Sequence, residues 1–174
     1  MAGVARTVGV KGPDAEANNM PHGLILLVED NAPNAELTMA CLLRGEGATN
    51  EVVLARDGVE AIDYLFDPKR EASGLPGLVL LDLQMPRMDG FAVLRTMRAA
   101  ELTRFVPVVM LTSYVRPEDV RTAYSLGANG YLDKMSSDGV GWTEMLQTVA
   151  RYWLRMNLTP NSSSLVGQEN GLTR

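Results

Sequence analysis

The sequence predicts an α/β domain built on a doubly wound parallel sheet with helices on both faces. Three observations lead there. Short apolar runs alternate with helical patterns five times between residues 23 and 158. Three of those runs, LILLV, LVLL and VVML, are almost uninterrupted, as in parallel strands covered on both faces. Four of the helical patterns open on a capping residue or a proline, and the second and fourth close on a breaker.

Taken in order, the first strand is expected at Leu24–Glu29, followed by a helix capped by Asn31, with Pro33 in its first turn, through AELTMACLLR. The second strand is Val52–Ala55. Asp57 then caps GVEAIDYLF, whose Val59, Ile62 and Leu65/Phe66 share a face, and Asp67-Pro68 stops that helix. The third strand is Leu78–Asp82, and Asp89 caps a helix to Ala100 carrying Phe91, Leu94 and Met97 at one-turn spacing. Pro107–Thr112 forms the fourth strand; the fourth helix runs from about Pro117 to a left-handed stop at Gly127. Gly130–Asp133 is the fifth strand, and the fifth helix covers roughly Thr143 to Met156. Residues 1–22 and 159–174, rich in Gly, Asn and Ser without periodicity, are expected to be a flexible lead-in and tail. The intervening stretch, 23–158, is one domain, and no output domain is expected beside it.

Composition narrows the function classes. The 174 residues carry a net charge of −5 and no Lys/Arg run, which argues against a nucleic-acid-binding stripe. The longest apolar strings are far too short to span a bilayer, and no secretory signal is visible. The single cysteine, Cys41, fits a reducing compartment, so a cytoplasmic location is expected.

In such a sheet, ligands bind beyond the carboxyl ends of the strands. There the sequence places Glu29-Asp30, Asp82, Thr112-Ser113 and Lys134. Singly these have bland readings: Asp82 as a turn residue, Thr112-Ser113 as a cap, Lys134 as a solvated surface residue, Tyr114 and Tyr131 as ordinary aromatics. Arg56-Asp57, at the end of the second strand, reads as surface and cap. Together, the carboxylates would repel one another unless a cation intervenes, and hard oxygen ligands suit Mg2+. Asp82 could then accept a phosphoryl group as a nucleophile, with Lys134 and the Thr112 hydroxyl on the phosphoryl oxygens. An alternative with the same chemistry is a Mg2+-dependent phosphohydrolase working through an aspartyl-phosphate. Its usual Asp-x-Asp is absent, because Gln84 stands where the second acid would be. Neither GxxxxGK[ST] nor GxGxxG occurs, which disfavours nucleotide-binding readings.

LILLVEDN, LVLLDLQMPRMDG, VVMLTS and GANGYLDK together resemble the receiver domain of two-component response regulators over about residues 23–157. The resemblance implies a flavodoxin-like five-stranded sheet in the order 2-1-3-4-5. It implies Asp82 as phosphoacceptor, and Mg2+ held by Asp30, Asp82 and the Gln84 backbone carbonyl with help from Glu29. Thr112 would be the switch hydroxyl, Lys134 the phosphate-binding lysine and Tyr131 the aromatic that rotates on activation. Met135 stands where the family usually has proline, which leaves that turn open. YWLRMNLTP (152–160) and the long 67–77 connection resemble the single-domain regulators paired with bacterial phytochrome kinases. The implied partner is a sensor histidine kinase acting in trans, a bacteriophytochrome among the candidates. The chain's only histidine, His22, lies in the lead-in and offers no other donor. Docking is expected on the first helix, which carries Ala35, Leu37 and Met39, and on the loop after the fifth strand. Tyr152-Trp153-Leu154 reads either as core or as a dimer contact; a homodimer through the fourth helix, fifth helix and this extension is expected.

Overall fold

The computed structural model describes residues 6–8, 23–44, 50–68, 74–136 and 139–160. The elements are β1 (Arg6–Val8), β2 (Leu24–Val28), α1 (Ala32–Leu42), β3 (Glu51–Ala55), α2 (Gly58–Leu65) and β4 (Leu78–Asp82). They continue with α3 (Gly90–Ala99), β5 (Val108–Thr112), α4 (Pro117–Ser125), β6 (Gly130–Asp133) and α5 (Gly139–Arg151), which runs into a π-helical turn, Tyr152–Met156. The sheet order is β1-β3-β2-β4-β5-β6. Its last five strands are parallel and follow the expected 2-1-3-4-5 order.

The sixth strand is a correction. Arg6–Val8 was expected inside a flexible lead-in, yet it pairs antiparallel with β3, Thr7 opposite Val53. Three residues are too few to show a period, but Thr and Val favour extended backbone, and β3 would otherwise present an open ladder edge. The other residues of 1–22, His22 among them, lie outside the described residues, as do 69–73 of the long connection and the tail from 161.

Strand residues alternate between two cores, as a period of two requires. Leu26, Val28, Val79, Leu81, Val108 and Met110 face α2, α3 and α4, where Leu65, Leu94 and Met97 meet them. Ile25, Leu27, Leu78, Leu80, Val109 and Leu111 face α1 and α5, where Leu42, Trp142 and Leu146 close the other layer. Trp153 and Leu154 pack partly buried against this second core, whereas Tyr152 is 46% exposed. The two readings of that aromatic end therefore divide between its residues.

The caps are where the sequence put them. Asn31 accepts from the Asn34 amide at 3.0 Å, Asp89 from Ala92 at 2.7 Å, and Asp57 from Val59 and Glu60 at 2.8 and 3.0 Å. Two helices differ from expectation. The buried face of α2 is Ala61, Tyr64 and Leu65, with Val59, Ile62 and Phe66 only half-buried at its margin. α5 starts at Gly139, earlier than Thr143, because Gly139 and Gly141 read as loop but sit within helical backbone. It gives way at Tyr152 to i→i+5 bonding, Asn157 N–H donating to the Tyr152 carbonyl at 2.8 Å.

Asp57 is not a surface residue: only 6% of it is exposed, and the Arg87 guanidinium is ion-paired to its second carboxylate oxygen. Burial would raise its pKa, but Arg87 and the two backbone amides outweigh that and hold it below the usual carboxylate range. A group depressed in the folded state stabilises at pH above its unfolded value and loses that contribution as pH falls through the folded value. Asp57→Ala is therefore expected to lower unfolding stability by about 1–2 kcal/mol at pH 7. Urea denaturation repeated toward pH 3 should show the gap between wild type and variant closing.

Candidate functional site

Glu29 and Asp30 follow β2, Asp82 is the last residue of β4, Thr112 the last of β5, and Lys134 follows β6. The parallel register brings these ends to one edge of the sheet, since Asp82 lies opposite Leu111 and Thr112 opposite Asp133. Glu29, Asp30 and Asp82 present carboxylate oxygens within 4.8 Å of one another. Glu29 is 1% and Asp82 6% exposed, while Asp30 faces solvent.

Lys134 reaches across to both buried acids, its Nζ donating to Glu29 Oε2 at 2.5 Å and to Asp82 Oδ1 at 2.8 Å. Its own side chain is 9% exposed, so this is a buried ion-pair network rather than a surface bridge. Burial pushes the Asp82 and Glu29 carboxyls above their ordinary values, and the Lys134 ammonium pulls in the opposite direction without cancelling it. Three carboxylates facing one ammonium leave a formal excess of negative charge at a partly desolvated edge.

That donor set suits a hard divalent cation: oxygen ligands only, one carboxylate open to solvent, and surplus negative charge. Gln84 follows Asp82 in the bend beyond β4, and among the described residues nothing donates to its carbonyl. The helix beyond is held unusually close. Gly90 N–H donates to the Leu83 carbonyl at 3.0 Å, and a Cβ on Gly90 would stand 2.3 Å from the Asp82 carbonyl. Only glycine lets the start of α3 pass behind the Asp82 backbone this closely.

Thr112 is buried, but its hydroxyl is engaged elsewhere. Oγ1 donates to the Tyr114 carbonyl at 3.0 Å and accepts from the Tyr114 amide at 3.2 Å. The Tyr131 hydroxyl is shielded from solvent and makes no well-formed hydrogen bond among the described residues. Burial raises its pKa, and the neighbouring Thr112 side chain draws it back in part. The Lys134–Met135 peptide is trans, and the turn is closed by Met135 N–H to Asp133 Oδ1 at 2.8 Å and Ser136 N–H to the Asp133 carbonyl at 3.3 Å.

The sequence reading missed Arg87. This non-glycine residue has φ 65°, and its guanidinium pairs with Asp57, tying the β3–α2 turn to the segment carrying Gln84. Asp57 follows β3 and Arg87 follows β4, two strands separated by β2, so no local pattern in the sequence pairs the two charges.

Residues 25–142 match the family model described as the response regulator receiver domain. The chain belongs to that family. The probable methanogenesis regulatory protein FilR2 of Methanothrix harundinacea is 40% identical over 138 residues, covering 79% of this chain and 87% of FilR2. The response regulator Rcp1 of Synechocystis is 33% identical over 80% of this chain and 95% of its own length. Its Mn(2+)-bound crystal structure superposes with a TM-score of 0.69 over 79% of this chain and 99% of that one, at 32% identity. The phosphorylated cyanobacterial phytochrome response regulator RcpA superposes with a TM-score of 0.72 at 31% identity, over 80% of this chain and 99% of its own.

Removing the ammonium should expose what it compensates. Lys134→Ala leaves Glu29 and Asp82 facing each other in a buried site, and a loss of about 3 kcal/mol is expected at pH 7.5. Carboxyls raised in the folded state cost stability while ionised and stop doing so when protonated. The deficit measured by urea denaturation should therefore shrink as pH falls through their folded values.

Proposed function

We propose that this receiver accepts a phosphoryl group on Asp82 from the phosphohistidine of a sensor histidine kinase, in a Mg2+-dependent reaction. The observation that carries the reading is the buried Lys134 ammonium held 2.8 Å from Asp82 beside Glu29 and Asp30. A carboxylate oxygen of Asp82 attacks phosphorus, a P–O bond forms and the P–N bond of the donor breaks. Glu29, Asp30, Asp82 and the Gln84 carbonyl would hold Mg2+, which supplies neutralising charge between acceptor and phosphoryl oxygens. Lys134, already poised at Asp82, pairs with a phosphoryl oxygen, and the Thr112 hydroxyl donates to another. Catalysis here extends only to the domain's own phosphorylation and dephosphorylation.

The receiver unit is residues 23–158, and a cytoplasmic location fits the lone free thiol of Cys41. Among the described residues no helix is long and apolar enough to cross a membrane. The kinase docks where Leu37 on α1 and Met135 and Val140 beyond β6 are each more than half exposed. The RcpA and Rcp1 likenesses favour a phytochrome-type kinase, a bacteriophytochrome included. Output is a changed surface of α4, β6 and α5, coupled to Asp82 through Thr112 and Tyr131. Half-exposed Tyr124 and Tyr152 make that surface suitable for a homodimer, with no direct nucleic-acid contact.

Incubation with Mg2+ and acetyl phosphate should add one hydroxylamine-labile phosphate by mass, and none without the metal. Asp82→Asn should abolish it, whereas labelling of that variant would assign the acceptor elsewhere. Light scattering at tens of micromolar should report a dimer, strengthened by phosphorylation; a strict monomer in both states removes the dimer from the reading.

A further inference from the structure

At the opposite end of the sheet from Asp82, where β5 and β6 begin, lies an open cavity of about 260 Å³. Arg98, Arg104, Phe105, Gly127, Asn129 and Trp153 line it, and residues 157–160 close one side. We propose that this cavity binds a small organic anion, a carboxylate or phosphate carried on a flat apolar body.

The argument rests on an imbalance of hydrogen-bonding groups. Arg98 donates Nε to the Gly127 carbonyl at 2.9 Å, Nη1 to the Val106 carbonyl at 3.0 Å and Nη2 to Asn129 Oδ1 at 2.9 Å. A guanidinium has five N–H groups, so two remain beyond these three bonds. Asn129 Oδ1 also accepts the Val108 amide at 2.9 Å. Two donors on one atom fix which end of that amide is oxygen, and leave Nδ2 without a partner among the described residues. The Gly127 and Val106 carbonyls and Asn129 Oδ1 are thus already engaged, while Arg98 and Asn129 keep donors to offer.

Its charge is likewise uncompensated. Among the described residues no carboxylate pairs with Arg98, which is partly buried against neutral oxygens; burial alone pushes its pKa down. Among the described residues Arg104 pairs only with the exposed Glu101, at 3.8 Å, and its guanidinium lies 4.6 Å over the Phe105 ring. A chain of net charge −5 therefore concentrates two guanidinium groups around one opening. An anion supplies acceptors for the spare Arg98 and Asn129 donors and a charge opposite to the two guanidinium groups. The rings of Phe105 and Trp153 suit a flat apolar body, and a volume near the small end of ligand pockets, about 300 Å³, sets its size at about one ring.

Trp153 lies in the wall and serves as reporter, while Trp142 is in the core. The full chain titrated with phenyl phosphate or benzoate should show a saturable change in tryptophan fluorescence at millimolar concentration or below, and phenol should give none. Arg104→Glu, at a half-exposed position where folding is not at stake, should weaken binding at least about tenfold. Asp82→Asn should bind like wild type, which separates this site from the phosphoryl chemistry. The proposal is overturned if neither anion saturates below about 10 mM, if phenol binds equally, or if Arg104→Glu binds unchanged.

Discussion

The structure depends on one long reach, that of Lys134 from the end of the outermost parallel strand to acids at the ends of β2 and β4. Glu29 and Asp82 sit where both flanking layers are apolar, so ionised carboxylates there need a compensating charge. A single ammonium shared between them provides it, and ties the edge strand β6 to the middle of the sheet. The compensation is incomplete, because Asp30 adds a third carboxylate. The protein thereby keeps an edge where positive charge is wanted, which is the condition for binding a cation and then a phosphoryl group.

The fold around that edge serves mainly to hold it still. Five apolar strands fix the positions of their last residues, and each core layer receives every second side chain. Asp82 cannot shift along its strand without moving Leu80 and Leu81 out of their respective layers. Gly90 lets α3 start against the Asp82 backbone, and the Arg87–Asp57 pair anchors the intervening turn, whose Arg87 backbone occupies a left-handed conformation. The acceptor is thus fixed from the strand side by packing and from the loop side by charge.

The parts legible in the sequence were those written in local signals. Apolar runs located the five parallel strands, and caps located the starts of α1, α2 and α3, because Asn31, Asp57 and Asp89 each act within three residues of themselves. The meeting of Glu29, Asp82 and Lys134 was legible because strand ends in a parallel sheet converge, so these charges could be grouped without coordinates. Features made by long-range pairing were hidden. Arg6–Val8 becomes a strand only through β3, and the buried Asp57 finds its charge partner in Arg87, thirty residues away. The cavity at Arg98 needs α3, the approach to β6 and the C-terminal turn at once, and no local pattern announces such a meeting.

The engagement of Thr112 bears on how strongly phosphorylation could act. Its hydroxyl now makes two contacts with the Tyr114 backbone, each of the neutral kind with a net value of about 1 kcal/mol. On the proposed reading, moving it to a phosphoryl oxygen exchanges these for a charge-assisted bond about twice as strong as a neutral one. Losses and gains are then of similar size, so Thr112 by itself moves the equilibrium little. The remaining bias has to come from elsewhere in the same cluster. Lys134 is one source, since a phosphoryl group would bring a dianion to a cation now shared by two acids. Tyr131 is the other, because its shielded hydroxyl lacks a well-formed partner and a rearrangement that supplies one gains about 1 kcal/mol toward its own cost. A switch assembled from several terms of about 1 kcal/mol shifts populations by roughly tenfold per 1.4 kcal/mol. Its output would therefore be graded by partner binding at α4, β6 and α5 rather than locked by any single contact.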